Sequence, residues 1–335
     1  MDNGLDAVLN QVFNEDCLEG MRKLPNDSID LVVIDPPYNI KKAVWDSWED
    51  ADEYISFMTD VFVECERVLK NNGSFYWFHN DLEQISRLMG AISKNTQLSY
   101  KQMLTIDKSD SSFVIDLYGS QNHFRNYINI AEYCLFYTIQ QDTGLNVVRG
   151  DYRNFESIKK YFINEKKRIE SDLGIKIKDH IKWTTHFHWF AQGLSWSFCS
   201  EQRYQELQTV FEGYFLRPYS SLKDEYSTLY RKYETQRYTF NYKDGVKNVM
   251  SYSFKVDKQL KHPTQKPTKL IESIVACSSN PGDVVLDCFM GSGTTAIACI
   301  NTGRNYIGFE LDETYHTMLT ERIKTHIKQI TEVSG

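Results

Sequence analysis

"PGDVVLDCFMGSGTTAIACINTGRNYIGFELD", residues 281–312, decides the fold of this chain. Pro281-Gly282-Asp283 is a turn signal, and Val284-Val285-Leu286 is the short apolar run of a buried strand. After Asp287 the chain enters Gly291-Ser292-Gly293-Thr294-Thr295-Ala296, and a helix is predicted to about Asn301. A Gly-containing turn then leads into a second strand, Tyr306-Ile307-Gly308-Phe309, which ends at Glu310. Strand, glycine-rich turn, helix, strand and acid make one unit of a parallel α/β sheet. The glycines let backbone approach a ligand closely, and an acid at the second strand tip can accept hydrogen bonds from ribose hydroxyls.

Two kinds of cofactor suit this unit. The spacing G-x-G-x-x-A, with Glu310 roughly 20 residues further on, is close to a dinucleotide fingerprint. Asp287 points the other way, because a carboxylate at that strand tip repels a pyrophosphate and attracts an ammonium. S-adenosylmethionine offers both an ammonium and a ribose. Chain position matters as well. After Glu310 there is sequence for about one helix, 313–330, so the sheet has to be completed from the N-terminus.

The N-terminal third supplies what is missing. "AVLNQVFNEDCLEGMRKLPNDSIDLVVIDPPYNI" (7–40) reads as strand, Asp16-Cys17, short helix and a strand at 31–34. A helix over 55–73, a strand over 74–80, a helix over 84–93 and strands near 101–106 and 131–139 follow. Placing the C-terminal unit with these elements gives one doubly wound, Rossmann-like sheet. Ligands of such sheets bind at the carboxyl ends of the strands. Asp16, Asp35, Asp287 and Glu310 all fall at those ends and are expected on one rim. The strand at 31–34 also ends stiffly, in Asp35-Pro36-Pro37-Tyr38, since proline fixes its own φ and restricts the residue before it.

Composition fits a globular chain: 41% hydrophobic and 25% charged residues are ordinary values. No apolar run approaches the roughly 20 residues that span a bilayer. The first ten residues lack a basic region and an apolar core, so export is not expected. Seven cysteines, odd in number and never spaced C-x-x-C, suit a reduced cytoplasmic protein without structural zinc. The net charge of −7 hides an asymmetry. Residues 151–270 carry a balance of +8 against −15 elsewhere, and a basic segment on an acidic body is compatible with a nucleic-acid footprint.

With these residues in place, the chain resembles the amino-type DNA methyltransferases of the permuted β class. In that family a D-P-P-Y motif precedes an F-x-G-x-G motif. Here Asp35-Pro36-Pro37-Tyr38 comes first and Phe289-Met290-Gly291-Ser292-Gly293 last. "HPTQKP" (262–267), "NEDCLEGMRKLP" (14–25) and "FRNYINIAEYCLFYT" (124–138) also resemble family segments, so the likeness covers roughly 11–140 and 260–330. The resemblance implies a circularly permuted sheet, S-adenosylmethionine as cofactor, no metal, and methyl transfer to the N6 amine of a flipped-out adenine in double-stranded DNA. Asp35 and the Pro36 carbonyl would accept the two amine N–H groups, with Pro36 and Pro37 together keeping that carbonyl aimed and Tyr38 stacking on the base. Asp287 would bind the methionine ammonium and Glu310 the ribose. Asp16 and Cys17 would face the adenine edge, Phe289, Gly291 and Gly293 would shape the turn, and Thr264 and Lys266 would lie near the methionine carboxylate.

The implied organisation is a catalytic half (1–150), a mainly helical target-recognition region (151–255) and a cofactor-binding half (256–335). Arg231, Lys232, Arg237, Lys243 and Lys247 are the candidate phosphate contacts, although a solvated helix face explains each equally well. Leu222, Tyr226, Leu229, Tyr230 and Tyr233 recur at helical spacing and read as helix packing. Ser200 reads as the N-cap of the helix that begins at Glu201. His186 and His188 have metal-like spacing but no further ligands, so they read as packing or DNA-contact residues. Trp45 and Trp48 belong either to a loop over the flipped base or to the core. The family further suggests a homodimer and a cognate restriction enzyme as partners, and no membrane. Three other readings compete: N4-cytosine methylation, a catalytically inactive nucleic-acid-binding partner, and a nicotinamide-dependent oxidoreductase.

Overall fold

Among the described residues, eight strands form one sheet in the order β1-β8-β7-β2-β3-β5-β4-β6. They are β1 (Gln11–Phe13), β2 (Ile29–Ile34), β3 (Leu69–His79), β4 (Ser99–Asp107), β5 (Ala131–Thr138), β6 (Val249–Ser251), β7 (Val284–Asp287) and β8 (Asn305–Phe309). The computed structural model describes residues 5–40, 46–109, 127, 129–139, 155–181, 187–190, 196–236, 238–241, 247–252 and 265–334. Contacts divide the chain into two compact units, Met1–Gln141 with Tyr238–Gly335, and Asp142–Arg237.

In the first unit, β1, β8, β7, β2 and β3 run parallel, and β5 turns antiparallel against both β3 and β4. The permutation is visible in the pairing. Val285 lies beside Leu31 and Ile307 beside Gln11, so the C-terminal strand–helix–strand is wedged between β1 and β2. Such central strands are buried on both faces and need near-continuous apolar runs, which Leu31-Val32-Val33-Ile34 and Val284-Val285-Leu286 supply.

Strand alternation sorts these side chains into two layers. Val32, Ile34, Phe75 and Trp77 pack with α1 (Cys17–Arg22), α2 (Ala51–Val68) and α3 (Leu82–Asn95). Leu31, Val33, Tyr76 and Phe78 face the other way, in the cluster that includes helices over Thr268–Ser278, Thr294–Thr302 and Glu313–Ser334. The α2 helix buries Tyr54, Met58, Val61, Phe62, Cys65 and Val68 on one helical stripe, and Asp50 caps its first turn through the Asp52 N–H.

The second unit has its own core. Its helices are α4 (Glu156–Leu173), α5 (Ile177–His180), α6 (Glu201–Val210) and α7 (Tyr219–Gln236), which makes the helices named above without labels α8, α9 and α10 in chain order. Ile158, Phe162, Ile169, Tyr204, Leu207, Phe215 and Leu222 are buried together, with Tyr226 and Leu229 packed against them. Tyr226 stacks face to face on Phe198, with centroids 4.5 Å apart, so the aromatic stripe of α7 does serve packing.

Two local expectations are corrected, and a third, the Ser200 N-cap, is met in position without a side-chain cap. Helix α2 ends at Val68, and β3 begins at Leu69, five residues before the predicted strand at 74. The register jumps from Ile29–Leu69 to Leu31–Ser74, so 70–73 bulge from the ladder where Asn-Asn-Gly disfavours further helix. Ser200 stands at the N-cap of α6, yet its side chain makes no capping hydrogen bond, and its carbonyl accepts the Tyr204 N–H instead. Finally, residues 249–251, assigned by sequence to the inserted region, pair in parallel with β4 and extend the sheet. A three-residue strand is too short to leave a readable alternation.

One close approach locks α1 onto the sheet. A Cβ at Gly20 would lie 2.3 Å from the ring of buried Phe309. Gly20→Ala is therefore expected to destabilise the protein by about 1–3 kcal/mol, seen as a lowered midpoint in denaturant unfolding.

Candidate active site

The parallel strands deliver their tips to one place. Asp35 follows β2, Asp287 ends β7, Glu310 follows β8, and Asp16 stands between β1 and α1. Together with Cys17, Pro36, Pro37, Tyr38, Lys266, Phe289 and Gly291 they line a cleft of about 1060 Å³. The shared rim expected from the sequence is thus present.

On the β7–β8 side, Asp287 is 4% exposed. Its Oδ1 accepts the Phe289 N–H at 3.0 Å and its Oδ2 the Thr295 hydroxyl at 2.6 Å. Burial pushes its pKa up to about 7, even though both hydrogen bonds oppose the rise. Glu310 accepts the Gly291 N–H at 2.8 Å and the Asp312 N–H at 2.9 Å, and burial raises its pKa as well. Gly291 takes φ 51, a left-handed turn that aims its N–H at Glu310. Gly293, at φ 78, stands behind the turn at the start of α9, where a Cβ would lie 3.2 Å from the Leu319 Cβ. Asp16 caps α1, its Oδ1 accepting from Leu18 and Glu19. A cleft with a buried carboxylate whose charge burial disfavours, and a second acid at the next strand tip, fits an ammonium-bearing nucleoside such as S-adenosylmethionine.

On the β2 side, the Asp-Pro-Pro-Tyr turn is held from behind. Asp46, 2% exposed, accepts the Tyr38 N–H at 2.6 Å and the Asn39 N–H at 2.8 Å on one oxygen. Asn39 adopts φ 52, and its side chain accepts the Trp48 N–H. The Asp81 N–H donates to His79 Nδ1 at 3.0 Å, so the His79 proton sits on Nε2, facing the Tyr54 hydroxyl at 3.2 Å. Tyr54 in turn donates to the Pro37 carbonyl at 2.9 Å. Burial lowers the His79 pKa to about 4, so this relay is neutral at physiological pH.

Tyr38 and Lys266 line the cleft beside Asp35. Tyr38 is 9% exposed, its ring stacked on His79 at 4.6 Å and covered by the Lys266 ammonium. Its hydroxyl faces Asp35 Oδ1 at 2.6 Å and Glu132 Oε1 at 2.9 Å. Lys266 lies against Asp35 Oδ2 at 2.6 Å and Glu132 Oε1 at 3.2 Å, at the carboxylate of the turn. Trp48 packs on Tyr54 and Phe57 and also lines the cleft.

Of the candidate phosphate contacts, Arg231 and Lys247 are exposed. The Lys232 side chain, Arg237 and Lys243 lie outside the described residues, as do Thr264, Trp45, His186 and the side chains of His188 and Tyr233. Among the described residues, no group of three or more His, Cys, Asp or Glu is placed to hold a metal ion.

Sequence reasoning missed Asp46, Tyr54, His79, Lys108 and Glu132. Glu132 carries a signal in hindsight, as the lone acid in the apolar run Ala-Glu-Tyr-Cys-Leu-Phe-Tyr. Asp46, in a stretch of scattered charges, carries none.

A family model described as DNA methylase, of the N6/N4 type, matches residues 29–321, and the chain belongs to this family. The type II methyltransferase M1.MboII of Moraxella bovis is 29% identical, covering 92% of this chain and 94% of its own. The DNA adenine methyltransferase YhdJ of Escherichia coli K12 is 28% identical, over 93% and 82% respectively. Among solved structures, the cytosine-N4-specific PvuII DNA methyltransferase aligns with a TM-score of 0.53 at 14% identity, covering 96% of this chain and 92% of its own. That likeness establishes the shared fold.

Removing the support behind the turn tests its role. Asp46→Ala is expected to cost about 1–3 kcal/mol for each amide left without an acceptor, measured by denaturant unfolding.

Proposed function

We propose that this protein transfers a methyl group from S-adenosylmethionine to the N6 amine of an adenine in double-stranded DNA, in the cytoplasm. The carrying observation is that Asp35 shares one cleft with Asp287 and Glu310 at adjacent strand tips. The choice of adenine is supported by the aspartate that opens Asp35-Pro36-Pro37-Tyr38 and by the adenine methyltransferase among the relatives. Residues 142–237, with their separate helical core, are proposed as the target-recognition region, and Arg231 as a phosphate contact. A homodimer and a cognate restriction enzyme are proposed on the family resemblance. Sedimentation velocity tests the first, and protection of methylated DNA from digestion by a host extract tests the second.

When bound, the cofactor supplies a methyl group on a sulfonium. The work of this chain's own residues is positioning and electrostatics. Asp287 takes the ammonium, which offsets the cost of its buried charge. Glu310 keeps acceptor capacity for ribose hydroxyls beside the two amides it already holds. Gly291 and Phe289 bring the turn between β7 and α9 against the ligand. Asp35 accepts an N–H of the target amine, holding the nitrogen lone pair toward the methyl group and stabilising the positive charge that develops there. A base inside the duplex cannot reach Asp35, so the adenine has to leave the stack.

Incubation with labelled S-adenosylmethionine and unmethylated genomic DNA, followed by nucleoside mass spectrometry, is expected to yield N6-methyladenine. The product should be lost with Asp35→Ala. N4-methylcytosine would keep the mechanism and overturn the base, and no methylated base at all would overturn the activity.

Asp287 gives a pH prediction. Its folded-state pKa is raised above its unfolded value, so ionisation opposes folding increasingly from about pH 4 to about pH 7. An ammonium ligand needs the ionised form. Cofactor affinity is therefore expected to strengthen about tenfold per unit as pH rises toward 7 and to level off above it. Calorimetry in buffers of different ionisation enthalpy should show proton release below pH 7, and Asp287→Asn should abolish both effects.

A further inference from the structure

Lys108, Glu132, Lys266 and Asp35 form a row of alternating charge that ends at the reacting carboxylate. Lys108 Nζ lies 3.4 Å from Glu132 Oε2, Lys266 Nζ 3.2 Å from Glu132 Oε1, and Lys266 Nζ 2.6 Å from Asp35 Oδ2. The four residues come from the end of β4, the start of β5, the segment before α8 and the tip of β2. Glu132 is 2% exposed and Lys266 7%. Although burial alone would lower the Lys266 pKa, Asp35 and Glu132 hold it above its usual value. Burial would likewise raise Glu132, but Lys266 and Lys108 bring it below the usual carboxylate range. Both are therefore charged at neutral pH.

Buried ion pairs are weak sources of stability, because desolvation cancels much of the attraction. A row of them beside a reaction centre calls for a reason in the chemistry. A carboxylate has about four lone-pair sites. Lys266 and the Tyr38 hydroxyl each lie within hydrogen-bond distance of a different Asp35 oxygen, which leaves the remaining sites for the amine. Glu132 Oε1 is the second partner of both donors, 2.9 Å from the Tyr38 hydroxyl. Asp35 is the nearer acceptor of each donor, and Glu132 shares both with it; without Glu132 the ammonium and the hydroxyl rest on Asp35 alone and compete there with the amine. The charge sum matters too. With Glu132 the row is neutral, and without it the row carries +1 next to a nitrogen that becomes positive during transfer.

We infer that Glu132 is a positioning residue of the methyl transfer: by holding Lys266 and Tyr38, it keeps Asp35 oriented and the row beside it neutral. This rests on the reading of Asp35 as the acceptor of the target amine.

Glu132→Gln preserves size and removes the charge. It is expected to lower kcat about 100-fold, while KM for S-adenosylmethionine and for DNA stays within about twofold. Glu132→Asp, which restores the charge on a shorter stem, is expected to recover part of kcat. In a Lys266→Met background, Glu132→Gln should cause a smaller further loss, because the part of its effect that passes through the lysine is already gone and only the part through Tyr38 remains. A Glu132→Gln protein with wild-type kcat, or losses that add fully to those of Lys266→Met, would overturn the inference. If Glu132→Gln no longer folds, Glu132→Asp decides. A kcat deficit with intact cofactor binding and thermal midpoint supports positioning, and a loss of all three assigns Glu132 to the fold and overturns it. Asp35→Ala separates the levels. Retained methylation there would sink both readings, whereas an inactive Asp35→Ala beside a normal Glu132→Gln sinks this inference alone.

Discussion

The parallel pairing of β7 with β2 is the constraint on which the rest depends. Leu31 lies beside Val285 and Val32 beside Leu286, joining segments some 250 residues apart in the chain. Because the two strands run the same way, their carboxyl ends coincide, and Asp35 and Asp287 are brought to one rim. The outer pairing of β8 with β1 does the same for Glu310 and Asp16. Strands of this kind tolerate little besides Val, Ile and Leu, since both faces are covered. The chemistry is therefore pushed to the first residue beyond each strand, where a polar side chain meets the cleft.

The cleft handles buried charge in two ways. Around Asp35 the protein supplies its own counter-charges, and every ionised group in the row has an opposite neighbour within 3.4 Å. Around Asp287 it supplies a hydroxyl and an amide, and the carboxyl responds by holding its proton up to about pH 7. One side is complete within the polypeptide. The other is arranged so that a cation from outside improves it, which is the electrostatic signature of a binding site. The proposed division of labour between the two tips, ligand ammonium at β7 and target amine at β2, follows from that difference.

Rigidity at the Asp-Pro-Pro-Tyr turn is shared between covalent and non-covalent restraint. The prolines fix two φ angles. Asp46 gathers the amides that follow, and the neutral His79–Tyr54 relay reaches the Pro37 carbonyl. A carbonyl oriented by ring closure alone could still swing with the whole turn. The relay from β3 through α2 ties it to the body of the sheet.

Much of this was legible in the sequence. Apolar runs ending in acids, the glycine turn and the order of the motifs depend on neighbours in the chain, and they gave the sheet, its permutation and the rim. The bulge at 70–73, the short strand β6 and the far side of the active site were not legible, because each depends on partners distant in sequence. Lys266 could be placed near a ligand through the family resemblance of its His-Pro-Thr-Gln-Lys-Pro segment, but its attachment to Asp35 spans 231 positions and is decided by packing. Glu132 reads as an anomaly in an apolar strand until β5 sets it opposite two lysines. Local chemistry fixes which residues end a strand. Only the tertiary structure decides which of those ends meet, and whether a buried charge finds its counter-charge in the protein or must take it from a ligand.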